Sequence, residues 1–301
     1  MGTLVGHIVP SVVFVLVGFW HLVCAFCNYV RQGREYTSKA WHAIGWFPYG
    51  LKHIELHLMV VLIPFAIFYE LGVSTSFRPL VDSMIPLNRV ASFEHTTTLF
   101  MFWLFAVIVL FSDTTAFLPL PAEASFLFAG LAFALEWISL AHEAARTSGL
   151  ESQCNLLLAY TSGLCAASAG FLALRPKTFL VDVLLCMGII LQGTWLFQIS
   201  LFLYVEQFIP QGCHYRLDLP TGIDGPTLCE VEQARIRAVA LINLAFNCHV
   251  IAVVVLSVLL FALAAKLQGH RRGGYDPLVV ETDPEGLQMK PLPKLSSFDR
   301  R

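Results

Sequence analysis

Charge is what this chain has least of. Asp, Glu, Lys and Arg together make up 13% of its 301 residues, against about 25% in soluble domains. Hydrophobic residues account for 56% and mean hydropathy is +0.68, so too little polar surface remains to coat a water-soluble globule. Basic clusters are also missing. Net charge is −2 and the Lys and Arg residues are scattered, which excludes a nucleic-acid footprint. There is no Walker loop, no dinucleotide fingerprint and no G-x-S-x-G elbow, so nucleotide-dependent and serine-hydrolase chemistries lack their usual carriers. The strings "SAGFL" and "TSGLC" read as small-residue packing surfaces rather than catalytic serines. The apolar domain shows no internal repeat and no low-complexity tract. A cleavable leader is not indicated: the run from Leu4 to Val30 is too long for an h-region and lacks a basic n-region or a small-x-small site. It reads as a retained first span.

What the chain has is long apolar runs. A hydrocarbon core of about 30 Å needs roughly 20 apolar residues in helix. Seven segments qualify, at 4–29, 53–72, 93–112, 123–142, 153–174, 178–204 and 236–266. Barrel strands would be shorter and would alternate apolar with polar, which these do not. The expected fold is therefore all-α, a polytopic membrane bundle of seven helices over residues 1–266. Six or eight helices stay open, because the second and fourth segments carry charge. Residues 267–301 are polar and rich in Pro and Gly, and read as a disordered cytoplasmic tail. Within that tail Tyr275 to Leu278 fits a tyrosine-based pattern for a sorting adaptor, with a bland tail as the alternative.

Lys and Arg bias sets the orientation. Arg31, Arg34, Lys39, Arg175, Lys177 and the tail residues lie on one side; Arg78, Arg89, Arg146 and Arg216 lie on the other. The C-terminus is thus expected in the cytoplasm and the N-terminus outside or in the lumen. All but two of the eight cysteines fall in or beside spans, where they behave as small apolar residues. Cys213 and Cys229 share the sixth loop, on the side where a disulfide is permitted, the alternative being two unpaired thiols.

Ionisable groups in spans are costly and usually face the bundle interior. This topology gathers a set of them toward the outer side. Glu94 and His95 open the third segment; Glu136, His142 and Glu143 lie late in the fourth; Gln153 starts the fifth. Gln192 and Gln198 fall in the outer half of the sixth and Asn243 in the seventh, with His7 at the outer end of the first. These residues form a candidate polar pocket in which Glu94, Glu136 and Gln192 are expected to converge. Glu136 and Glu143 are nearly two turns apart and align, whereas Glu94 and His95 diverge by about 100°. Asn243 and Asn247, one turn apart, share a face. The competing reading is helix ends meeting headgroups and water, or helix–helix hydrogen bonding. A second group, Lys52, His53, Glu55 and His57 with His21, lies on the cytoplasmic side. One-turn His spacing can hold zinc, but no HExxH string accompanies it, and a structural role is expected there.

Several strings together carry a family resemblance: "MGTLVGHIVPSVVFVLVGFWHL", "FEH" at 93–95, "LQGTW" at 191–195, "FIPQGC" at 208–213 and "EQARIRAVALINLAF" at 232–246. They resemble the plant branch of the transmembrane protein 45 family (domain of unknown function 716). The resemblance implies a multi-pass membrane protein of unestablished activity in the endomembrane system, Golgi or endosome, or at the plasma membrane. It also implies a loose link to stress and viral responses in plants. One departure stands out. Relatives carry a histidine-rich stretch between the fourth and fifth helices; matched through "GLESQ", its positions here are Ala141, Glu143, Thr147 and Asn155, with His142 one place out of register.

The function expected is non-enzymatic: a multi-pass membrane protein in the lipid bilayer, with a lumen-facing pocket for a lipid or small molecule, or a trafficking or stress role. A membrane-embedded metal-dependent hydrolase, with Glu94 or Glu143 as general base, is the alternative. A transporter is the second alternative, since no pair of broken helices in repeated halves is visible. No catalytic residue is assigned, and neither a cofactor nor a metal follows from the sequence.

Overall fold

The computed structural model describes residues 4–43, 52–75, 85–215 and 227–269. Seven helices dominate: α1 (Leu4–Gln32), α2 (Ile54–Thr75), α3 (Leu87–Thr114), α4 (Ala122–Arg146), α5 (Gly149–Leu174), α6 (Phe179–Tyr204) and α7 (Glu232–Gly269). Each is long and apolar enough to cross a membrane. Their large outward side chains, Phe65, Phe68, Leu180 and Val258 among them, are exposed, as lipid-facing residues are in a bundle whose solvent is hydrocarbon. The proposed tail begins inside α7, and the sorting pattern at Tyr275 lies outside the described residues.

Local chemistry explains the helix ends. Pro86 and Pro121 sit immediately before α3 and α4 with φ near −60° and extended ψ, the geometry from which a chain can enter a helix without a proline N–H. The α4–α5 turn is two residues long and closes on Gly149, whose φ of +68° favours glycine. Pro10 and Pro64 lie inside α1 and α2; membrane helices tolerate this where neighbouring groups satisfy the freed carbonyls.

The helices pair as α4 with α5, α1 with α6 and α2 with α3, and the largely exposed α7 lies against α1, α5 and α6. Of the seven, α6 is the most enclosed, lying against α1, α5 and α7. Three apolar clusters fill the bundle. One joins α2 through α6 around Phe105, Phe126, Phe133 and Leu185; a second joins α5, α6 and α7 around Trp195 and Ile199; a third joins α1, α6 and α7 around Leu22 and Ile190. Indole nitrogens stitch helices across these clusters: Trp195 Nε1 donates to the Cys154 carbonyl at 3.2 Å and Trp103 Nε1 to the Val60 carbonyl at 3.0 Å. Between α6 and α7, β1 (Cys213–Tyr215) and β2 (Thr227–Cys229) pair antiparallel with Cys213 opposite Cys229. These two cysteines are disulfide-bonded.

Three helices begin four or more residues earlier than the apolar runs suggested, α3, α5 (at Gly149 rather than 153) and α7. α3 starts at Leu87, so Glu94 and His95 lie about two turns inside it rather than at its mouth. α7 likewise starts at Glu232. Hydropathy detects the hydrocarbon-crossing part of a helix; the polar turns that precede it are helical because they stay hydrogen-bonded along the same axis.

Candidate polar pocket and a second buried cluster

Placing Glu94 inside α3 brings it beside the last turns of α4. Arg146 Nη2 donates to Glu94 Oε2 at 2.7 Å, and the exposed His142 lies 3.9 Å from the other Glu94 oxygen. Thr98, one turn further along α3, accepts or donates a hydrogen bond with Ser139 of α4 at 3.3 Å. Between these helices is a cavity of about 20 Å³ lined by Glu94, His95, Glu136 and Glu143, with Leu158 of α5 and Leu196 of α6 as its apolar floor. That volume accommodates one water-sized group.

Glu136 is the deepest acid of the pocket. Its Oε2 accepts from Ser162 Oγ on α5 at 2.8 Å. Gln192 of α6, fully buried, lies near Glu136, and among the described residues its Nε2 has no hydrogen-bond partner. Among the described residues neither Glu136 nor Glu143 has an ion-pair partner; the nearby guanidinium, Arg146, is engaged by Glu94.

The other candidates separate from this cavity. Asn243 of α7 accepts from Gln153 of α5 at 2.7 Å, a helix–helix tie, and Asn247 is exposed rather than joining it. Gln198 is half-buried on α6 and does not line the cavity. His53 and His57 do not share a ligand geometry: His53 bonds Asp113 of α3, and His57 Nδ1 turns back to the His53 carbonyl at 2.8 Å. Among the described residues no three His, Cys, Asp or Glu side chains are grouped to hold a metal ion.

The opposite end of the bundle holds a polar cluster of which sequence reasoning recognised only His21 and Glu55. His21 Nε2 lies 2.5 Å from Glu55 Oε1, joining α1 to α2, and the His42 backbone N–H donates to the other Glu55 oxygen at 3.3 Å. The His42 ring packs edge-on against His21 with centroids 4.9 Å apart. Asp182, in the first turn of α6 and only 3% exposed, accepts from the Tyr36 hydroxyl. Burial, then the neighbouring Asp182, pushes the Tyr36 hydroxyl well above the usual phenol range. Burial, reinforced by His21 and Lys39, holds His42 down to about 3. A lone Asp opening an otherwise apolar span was the available signal for Asp182. His42 and Tyr36 had none, since they lie in a connection between helices.

No curated protein matches the chain. Residues 122–262 match the family model described as "Family of unknown function (DUF716)". The matched stretch runs from the start of α4 into α7 and includes Glu136, Glu143 and Gln192, while Glu94 and His95 precede it. The likeness covers 141 of the 301 residues, under half of the chain.

Proposed function

We propose that this multi-pass membrane protein acts without catalysis, by holding a small polar group in the cavity between α3 and α4. The observation that carries the reading is the convergence of Glu94, His95, Glu136 and Glu143 on one cavity. At about 20 Å³ the space takes a single polar tip and no acyl chain. Two carboxylates without cationic partners favour a positive tip, so the expected occupant is a primary ammonium, free or on a lipid head. The Glu94 end is the lumenal or external one in this reading. The Lys and Arg bias supports that, as does the disulfide-bonded hairpin that follows α6 at the same end. Resemblance to the transmembrane protein 45 family favours an endomembrane site or the plasma membrane, and a role in trafficking or stress.

The test is thermal stabilisation of detergent-purified protein by phosphatidylethanolamine and by free ethanolamine, with phosphatidylcholine and choline as bulkier controls. A ligand that binds only the folded state raises the midpoint. Stabilisation by the lipid alone would identify a headgroup site, and by both a soluble amine site. The shift should vanish in Glu136→Gln. Equal response to ethanolamine and choline forms, or none to either, would overturn the reading.

A further inference from the structure

Four polar side chains interrupt the apolar stretch of α7, and three are occupied within the bundle. Asn243 accepts from Gln153 at 2.7 Å, Ser257 Oγ donates to the Val253 carbonyl at 2.7 Å, and the His249 ring packs edge-on against Trp195. The fourth, Asn247, is exposed on the outside of the bundle, and among the described residues its amide has no hydrogen-bond partner. Its depth follows from its neighbours. Phe246 and His249, on either side of it, pack on Trp195 with ring centroids 5.0 and 5.8 Å apart. Trp195 itself lies about 5 Å along the axis from the midpoint of α6. Asn247 is therefore well inside a hydrocarbon core about 30 Å thick, not among headgroups.

Lipid tails give an amide nothing to bond, and polar residues in spans normally sit against another helix. The residues around Asn247 are arranged for one. Ala240, Leu244, Asn247, Ile251, Val254 and Val258 follow one another at alternating spacings of four and three, the heptad spacing that holds a seam of two helices in register. All six are exposed, with Leu244 at 59% and both Ile251 and Val258 at 63%. The side of α7 that packs on the bundle is a different one, carried by Ala238, Ile242, Val253 and Ser257. Burying the outward stripe of two copies against each other would remove on the order of 1,000 Å² from lipid, the size at which specific interfaces begin.

We propose that the outward stripe of α7 is a homodimer interface, in which Asn247 pairs with Asn247 of a second copy. The partner's identity follows from complementarity. An amide carries both donors and an acceptor, so it is matched by another amide at the same depth. Copies inserted with the same orientation run their α7 helices parallel, and a two-fold axis along the membrane normal sets each stripe residue opposite its own counterpart. A second copy thus supplies the missing partner at the right level with the same heptad spacing. A single polar residue in an otherwise apolar seam also fixes the register of the pair. The interface is independent of the cavity between α3 and α4, and either can exist without the other.

The test uses the purified full chain in phosphatidylcholine vesicles. Energy transfer between donor- and acceptor-labelled copies, followed as the protein is diluted in lipid, reads the dimer. Asn247→Leu should weaken association about threefold to tenfold, the range measured for single hydrogen bonds between membrane helices. Because Asn247 faces lipid, this variant should keep its size-exclusion profile and melting midpoint. Geometry is read by oxidative cross-linking in a Cys248→Ser background. Ile251→Cys, on the stripe, should link to its own copy. Leu263→Cys, equally apolar and 51% exposed but about 160° round the helix from Asn247, should not. A protein that stays monomeric at every dilution would overturn the proposal and leave lipid as the cover of this face. Dimers unchanged by Asn247→Leu, or linked through Leu263→Cys rather than Ile251→Cys, would overturn it as well.

Discussion

Replacing Gly193 by alanine should separate α1 from α6 and destabilise the bundle. A Cβ at Gly193 would lie 2.7 Å from the Val15 backbone nitrogen, 2.8 Å from the Ser11 carbonyl oxygen and 2.9 Å from Phe14 Cβ. Comfortable carbon contacts are about 3.5–4.0 Å, so the helices must part by roughly 0.7–1 Å. Two of the three obstructing atoms are backbone and cannot rotate away. Overpacking of this kind costs about 1–3 kcal/mol. Against a mid-range cost of about 2 kcal/mol, the better helix propensity of alanine returns about 0.5–1 kcal/mol, leaving a net loss of about 1–1.5 kcal/mol. At about 2–4 °C per kcal/mol, the midpoint should drop by about 2–6 °C. Gly18→Ala, which meets the Ile190 backbone nitrogen at 2.9 Å, should behave alike. Gly170 on α5 is the control: its Cβ would meet nothing within 4 Å, so Gly170→Ala should be neutral or slightly stabilising. Fluorescence-detected size-exclusion melts in one detergent would compare all three. If Gly193→Ala melted at or above wild type while Gly170→Ala lost stability, the packing argument would be refuted.

Two further outcomes are expected. Cys213→Ser should lower the melting midpoint, because the disulfide closes a loop with sequence separation 16, worth about 3 kcal/mol by chain entropy; alkylation of both cysteines in unreduced protein, read by intact mass, would contradict it. Acid should destabilise the fold partly through His42. Its folded-state value near 3 lies below the 6.5 of an ordinary imidazole, so the unfolded chain protonates first. That contribution is intact above about pH 6.5 and is lost progressively as pH falls toward 3; melts of His42→Gln between pH 7 and 4 should show a shallower decline, and an unchanged slope would count against the burial of a neutral ring.

Much of the fold was legible because a bilayer imposes a length. Any helix crossing it must carry some 20 apolar residues, and seven such runs became seven helices. Their ends were less legible. Leu87 to Phe93 contains Asn88 and Arg89, polar residues that hydropathy reads as loop, whereas Pro86 marks where the helix begins. Cys213 and Cys229 drew attention by sharing a loop. Their pairing across a two-stranded hairpin is a matter of register that spacing alone does not give.

The pocket shows where periodicity loses its grip. Glu136 and Glu143, on α4, were placed by counting turns, and both line the cavity, because α4 has one face inward and one toward lipid. On α6 that reasoning has no purchase. A helix enclosed by α1, α5 and α7 is apolar all round, so no stripe tells which face a lone polar residue occupies. Gln192 was set apart from Gln198 by depth alone, not by a face, and Gln192 lies near Glu136, while Asp182 stood unremarked at the start of the same helix. His42 and Tyr36 were harder still, because residues 36–42 after α1 are held against the start of α6 and α2 by bonds to Asp182 and Glu55. Partners so far apart in sequence are fixed by the closing of the bundle. The most buried helix is therefore the one whose polar residues most need coordinates, and it is also the helix that joins the two polar ends of this protein.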